Sequence, residues 1–335
     1  MAPSCRLAPM LISWVCKHWR NTALSLPALW SSLSLQHKSD HVHSLAHCAY
    51  LSLAKLWLDR SRRRRLSLSI RGPGLNQTRD YMSFLMVEGY MQRCTTLDVH
   101  IMISISQCLH LFRHAFVLTE ATFSNVYPCD EYRLPHGLLS IVELENLHTL
   151  HVTSLIPIEL LLDWLVLPQL HSLGIEQRNT GFAAWPAFAA LLDRSGCQLE
   201  KFAYTTDHNY GVDPTVQEFL KRPRMQNVRS LALRGISISN QVVEVLKASP
   251  LREHILPQLE QLEFGMCVGH DGGLAEMVTS RSTSPPNQSG SAAAHNGALR
   301  SISVTLESHR HEEDISQLTA LSEHGLQVEI RRWPE

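Results

Sequence analysis

The chain has almost no net charge. Its 30 Lys and Arg against 31 Asp and Glu leave -1 over 335 residues, which removes the electrostatic footprint of a general nucleic-acid or membrane-surface binder. A long hydrophobic run is missing as well. The most apolar stretch, LIPIELLLDWLVLP at 155–168, is broken by Glu159 and Asp163 and falls short of the roughly 20 apolar residues that span a bilayer. The apolar run from Leu7 to Cys16 is short, and Trp14 with the following KHWR makes a poor cleavage region, so no secretory signal is read there. The 8 cysteines, at 5, 16, 48, 94, 108, 129, 197 and 267, form no CxxC and match no zinc-module spacing. Most sit among apolar residues, the pattern of buried free thiols in a reducing, intracellular compartment, cytoplasmic or nuclear.

Signatures of catalysis are also lacking. There is no GxSxG elbow and no Walker loop, and GHDGG at 269–273 reads as a turn-rich loop. His43 and His47 stand four apart with Cys48 adjacent, but no second pair of ligands accompanies them, so a solvated helix is the reading. SHRHEED at 308–314 reads as a charged loop, and Arg62–Arg65 as a solvated turn between a helix and a strand. The chain is therefore expected to be no enzyme, with no catalytic residue, no cofactor and no metal.

What the sequence does have is leucine, at 51 positions, arranged with a period. Apolar, two residues, apolar, one residue, apolar recurs as LHTLHV (147–152), LHSLGI (170–175), LEKFAY (199–204), VRSLAL (228–233), LEQLEF (259–264) and LRSISV (299–304), and LQVEI closes the series at 326–330. The steps are 23, 29, 29, 31, 40 and 27 residues. The step of 40 contains the Ser/Pro/Gly-rich stretch 279–297, expected to be a disordered insertion. Weaker copies are LSLSI (66–70), CTTLDV (94–99) and FRHAFV (112–117), and LPQLHSL at 167–173 is echoed by LPQLEQL at 256–262. Helix-like runs lie between: 157–167, 185–196 ending at Gly196, 213–223 with Asp213 as cap and Pro214 in the first turn, and 239–250.

One short strand and one helix per repeat predict an α/β fold of leucine-rich-repeat type, an irregular solenoid of short parallel strands. A doubly wound sheet competes, but its central strands are apolar on both faces, and these are apolar on one. Alternation puts Leu150 and Val152, Leu173 and Ile175, Leu231 and Leu233, and Leu262 and Phe264 in the core. The opposite, concave face then presents Thr149, His151, Glu176, Lys201, Arg234, Glu263 and Glu329 as candidate partner-binding residues, with Thr153, Ser172 and Thr205 beside them. Its mixed charge and few aromatics suit a protein partner better than nucleic acid.

The first 35 residues break this rhythm. In LISWVCKHWRNTALSLPALWSSLSL (11–35), Leu11, Trp14 or Val15, Trp19 and Ala23 fall at helical spacing, with Lys17, His18 and Arg20 on the other side. On these residues alone the run is an amphipathic helix capping the repeats. Val15, Cys16, Trp19, Ala23, Pro27, Leu29 and Trp30 further resemble the second half of an F-box, and LWLDRS at 56–61 continues the pattern of fungal F-box proteins with leucine-rich repeats. The resemblance implies a non-catalytic, substrate-recruiting subunit of a cullin–RING ubiquitin ligase. It would hold the Skp-type adaptor through Val15, Cys16, Trp19, Leu29 and Trp30 and an unidentified protein substrate through the repeats, with no nucleic acid and no membrane involved. It divides the chain into a partial F-box (1–37), a helical connector (38–65) and the repeat region (66–335). The family's opening Leu-Pro helix is not found in MAPSCRLAPM, so weak adaptor binding is expected, and an interaction scaffold unconnected to ubiquitin is the alternative.

Overall fold

The computed structural model describes residues 9–36, 45–72, 81–86, 89–127, 140–178, 184–210, 214–249, 254–282, 298–306 and 310–332. The chain forms two compact units, Met1–Ile156 with Leu160–Gln169, and Pro157–Glu159 with Leu170–Glu335. Both are mixed α/β, with parallel strands alternating with helices.

The first unit opens with α1 (Met10–Val15), α2 (Lys17–Ser25) and a 3₁₀ turn at Pro27–Trp30. There follow β1 (Ser32–Gln36), α3 (Leu45–Arg60), β2 (Leu66–Arg71), α4 (81–86), β3 (Cys94–His100), β4 (Ile103–Ser104), α5 (Ile105–His114) and β5 (Glu120–Tyr127). The unit continues with β6 (Val142–Glu143), β7 (Thr149–Ser154), α6 (Glu159–Leu162) and β8 (Leu165–Val166). Strands β1, β2, β3, β5 and β7 pair in that order, all parallel. In the second unit β9 (Ser172–Gln177), β10 (Lys201–Tyr210), β11 (Ser230–Ile238), β12 (Gln261–Cys267), β13 (Ser301–Leu306) and β14 (Gln327–Arg332) pair in chain order, also parallel. Helices α7 (Trp185–Ser195), α8 (Pro214–Leu220), α9 (Asn240–Leu246), α10 (Gly273–Ser282) and α11 (Glu312–Glu323) alternate with these strands.

The copies share a hydrogen-bonding device. The carbonyl just before several of the strands accepts two N–H groups from the next copy. Thr119 C=O takes His148 and Thr149, His171 C=O takes Glu200 and Lys201, Glu200 C=O takes Arg229 and Ser230, and Arg229 C=O takes Glu260 and Gln261. Upstream of several strands, a buried apolar residue closes a turn on another three residues earlier, as Leu147 on Leu144, Val228 on Met225 and Leu259 on Leu256. That turn aims the chain into the strand and sets its register. A register slip of one residue would turn every apolar side chain outward. Leu150, Val152, Leu173, Ile175, Leu231, Leu233, Leu262 and Phe264 are accordingly all buried.

Local chemistry explains the helix ends. Ser104 and Gln107 form a reciprocal capping box on α5. Gly196 ends α7 at φ 66°, a left-handed conformation that costs glycine least. α8 begins at Pro214; Asp213, read as its cap, lies outside the described residues.

Five expectations need correction. The helix expected over 157–167 shrinks to α6, because Leu165–Val166 is drawn into a two-stranded pairing with β6. FRHAFV is not a repeat strand; its start is the last turn of α5, and the strand follows at Glu120–Tyr127. The single N-terminal helix is two, broken at Cys16, whose backbone is extended (φ -159°, ψ 173°) and whose thiol caps α2 by accepting the Trp19 N–H. Thr279–Ser282, placed in the disordered insertion, is the end of α10, and Arg281 there is buried, donating to the carbonyls of Leu246, Ile255 and Leu256; the remaining residues, 283–297, lie outside the described ones. Thr153, assigned to the solvent face, is buried. Among the described residues no helix is long and apolar enough to cross a membrane.

Candidate functional site

The first candidate surface is apolar and built from α1, α2 and the 3₁₀ turn. α1 turns inward with Met10 and Ser13, and the Arg20 guanidinium ties α2 back to the Ser13 carbonyl at 2.9 Å. That leaves Leu11, Trp14, Val15, Trp19, Leu24, Leu26 and Leu29 in solvent, with Trp14 57%, Val15 66% and Trp19 51% exposed. Large apolar groups gathered on one small helical unit are uncommon unless something covers them. Cys16 is exposed beside them.

Trp30, expected on this surface, belongs to the core instead and is fully buried. Its indole N–H donates to the Ala23 carbonyl at 2.8 Å, its ring meets Trp57 edge-on at 5.3 Å, and the Arg60 guanidinium lies 4.6 Å from its centroid. The 3₁₀ turn points it inward against α3. Of the five candidate adaptor residues, four are exposed and the fifth is the pivot on which they sit.

The second candidate surface is the polar strand face. In the second unit its register brings together columns of facing side chains: Ser172, Lys201, Ser230, Gln261, Ser301 and Gln327 in one, Glu263, Ser303 and Glu329 in the next. A shallow groove of about 290 Å³ runs over Gln261, Glu263, Ser303 and Glu329. The charges on this face are largely spent on each other. Arg234 makes a two-pronged pair with Glu263, which holds the guanidinium above its usual range, and Glu176 binds Arg178 at 2.8 Å. Glu329 accepts from Arg331 at 3.0 Å and from Ser303 at 3.1 Å, and these bonds hold its carboxyl below the usual carboxylate range. Lys201 is exposed and has no partner among the described residues.

In the first unit the same face carries residues that sequence reasoning missed. Asp98 accepts from Ser69 at 3.1 Å and pairs with Arg71 at 3.3 Å and His100 at 2.6 Å, while Ser124 meets the other nitrogen of His100 at 3.0 Å. Thr149 and His151 lie one strand further on, opposite Glu120 and Thr122. The missed signal was the alternation in LSLSI and CTTLDV, which places Ser69 and Asp98 in the column of His151. This Ser124–His100–Asp98 chain lies on the partly exposed strand face, with His100 39% and Asp98 26% exposed.

A third cluster sits where α10 and α11 begin: ligand atoms of Asp271, His311 and Asp314 lie within 4.8 Å of one another. Their lone pairs have other uses. Asp271 accepts the N–H groups of Gly272, Glu313 and Asp314; burial pushes its carboxyl up, but these bonds overrule it and hold the group below its ordinary range. Asp314 accepts from Ala275 N–H and shares a 2.9 Å contact with His311. The two aspartates cap each other's helix, so His311 and Asp314 make a buried corner at the start of α11 and not the charged loop expected, while Glu312 and Glu313 between them stay exposed. His43 lies outside the described residues; His47 and Cys48 lie on α3. Burial pushes the Cys94 thiol up to about 12 and Cys197 to about 11, and Cys108 and Cys267 higher still. These four are inert, as buried thiols should be.

The sequence matches no family model and no curated protein.

Proposed function

We propose that this chain is a recruiting subunit with two surfaces, an apolar helical patch that docks on a Skp-type adaptor and a polar strand face that holds a protein substrate. The repeated strand–helix units, each burying an apolar pair and several offering a carbonyl to the next, support a leucine-rich-repeat-like solenoid. Such repeats present extended polar faces to partners. The observation that carries the reading is the split within one motif: Trp30 is buried while Val15, Trp19 and Leu29 stand exposed with Leu11, Trp14 and Leu26. A helix whose only role was to cap a core would bury these side chains. The chemistry of ubiquitin transfer would belong to the partners.

The test is capture of the full chain by purified Skp-type adaptor, comparing the natural sequence with Trp14→Ser/Val15→Ser. Micromolar binding lost in the double variant supports the reading. Absence of binding by the natural chain, with protein substrates still captured on the strand face, moves the function to a scaffold unconnected to ubiquitin.

A further inference from the structure

The near-zero net charge conceals a strong polarity. Residues 1–65 hold ten Lys and Arg against two Asp and Glu, a net charge of +8, while residues 66–335 hold twenty against twenty-nine, a net charge of -9. Four of the ten are consecutive, Arg62–Arg65, and all four are exposed. Among the described residues none of their side chains has a hydrogen-bond or ion-pair partner. Asp59 is the one acidic residue described before Arg65, and it is engaged by the Tyr90 hydroxyl at 2.7 Å.

This turn is built and held. Arg62 has φ 53°, a left-handed conformation that a side-chain-bearing residue adopts at a cost. Arg93 clamps it from beneath, donating to the carbonyls of Arg62 and Arg64 and to the Ser61 hydroxyl. A fifth arginine thus spends its donors on backbone so that four others face outward in a set order. The turn also adjoins the helical unit that carries the apolar patch. Arg60, two residues before Arg62, reaches the Met10 sulfur of α1 at 3.2 Å and covers Trp30.

Taking the adaptor reading above as its base, we propose that the partner docking on α1 and α2 also sets a cluster of carboxylates against Arg62–Arg65. The turn is then the electrostatic half of the docking surface. A compact acidic protein fits this arrangement better than a bilayer or a nucleic-acid duplex. Either of those is an extended polyanion, and the net charge of -9 on residues 66–335 repels it. Carboxylates at such a site raise the association rate and fix the docking register, and salt weakens them.

The experiment measures adaptor binding kinetics for the full chain, for R63Q/R64Q/R65Q and for Trp14→Ser/Val15→Ser, at about 50 and about 300 mM NaCl. Circular dichroism checks that each variant is folded, and Arg62 is kept so that the turn is undisturbed. The natural chain should associate at least about tenfold faster at low salt. The glutamine variant should lose that advantage and most of the salt dependence, whereas the Trp14/Val15 variant should dissociate faster at both salts. No binding by the natural chain overturns both this proposal and the adaptor reading. Binding with the same salt dependence in the glutamine variant overturns the role of the turn alone. Capture of the natural chain by vesicles of about 30% phosphatidylserine, or by duplex DNA, that the glutamine variant abolishes reassigns the turn to that surface and also overturns the proposal.

Discussion

Replacing Trp30 and Trp19 one at a time separates core from docking surface within a single short motif. Trp30→Ala removes a fully buried indole, its edge-on contact with Trp57 and its contact with the covering Arg60, and leaves the Ala23 carbonyl only the longer bond from the Leu26 N–H at 3.4 Å. Truncating a buried tryptophan costs about 3–5 kcal/mol, part of it the lost indole hydrogen bond. At 1.4 kcal/mol per factor of ten, protection of the slow amides of α3 should fall by a factor of roughly 100 to 4,000. Trp19 is half exposed, so Trp19→Ala should change stability by no more than about 0.5 kcal/mol. As an interface anchor it should still cost about tenfold or more in adaptor affinity. Hydrogen-exchange mass spectrometry of both variants, beside adaptor binding, reads the two quantities apart. A loss of protection below tenfold in Trp30→Ala, or an equal loss in Trp19→Ala, would refute the division drawn here.

Further expectations follow from other parts of the molecule. Leu231→Ala, between Phe202 and Leu262 in the buried register, should cost about 2–5 kcal/mol by urea unfolding, and Ser230→Ala on the polar face little; equal small losses would contradict the register. Gly235→Ala should disrupt the β10–β11 pairing, because φ is +72° and a Cβ would stand 1.7 Å from the Thr206 carbonyl oxygen, whereas Gly196→Ala at φ +66° meets open space and should cost only about 1 kcal/mol of backbone strain. Thermal unfolding of the pair checks this; similar melting temperatures would sink it. Burial pushes the Cys94 thiol up to about 12 from an ordinary value of 9.0, so its stabilisation is present below pH 9 and is lost as pH rises through that window. The slope is up to about 1.4 kcal/mol per pH unit, and Cys94→Ala should flatten alkaline unfolding. Lys201→Glu should weaken substrate capture without lowering the urea midpoint, since Lys201 has no partner among the described residues to lose. Arg234→Glu should destabilise as well, by facing Glu263 with a like charge.

Some of this was legible in the leucine spacing and some was not. The later copies, from LHTLHV to LQVEI, announced their strands because a strand apolar on one face repeats every second residue, whatever lies around it. FRHAFV failed because three apolar residues at similar spacing also fit the end of a helix, and α5 claimed them. The run at 157–167 failed for the opposite reason. It is apolar enough for a helix, but Val142–Glu143 offered a ladder partner that no local pattern foretells. Arg234 and Glu263 were chosen as surface residues, and 29 positions of sequence separation hid that they would pair.

The sequence by itself determined that the chain is α/β and repetitive, that the apolar pair of each later copy lies inward, and that Arg62–Arg65 is exposed. These follow from periodicity and from the cost of burying unpaired charge, which act within a few residues. Only the tertiary structure decided which tryptophan of the N-terminal motif is core, which charges on the strand face neutralise one another, and that Asp271 and Asp314 cap helices across the chain. Each of those depends on a neighbour brought close by folding, and burial and pairing energies are properties of that neighbour as much as of the residue itself.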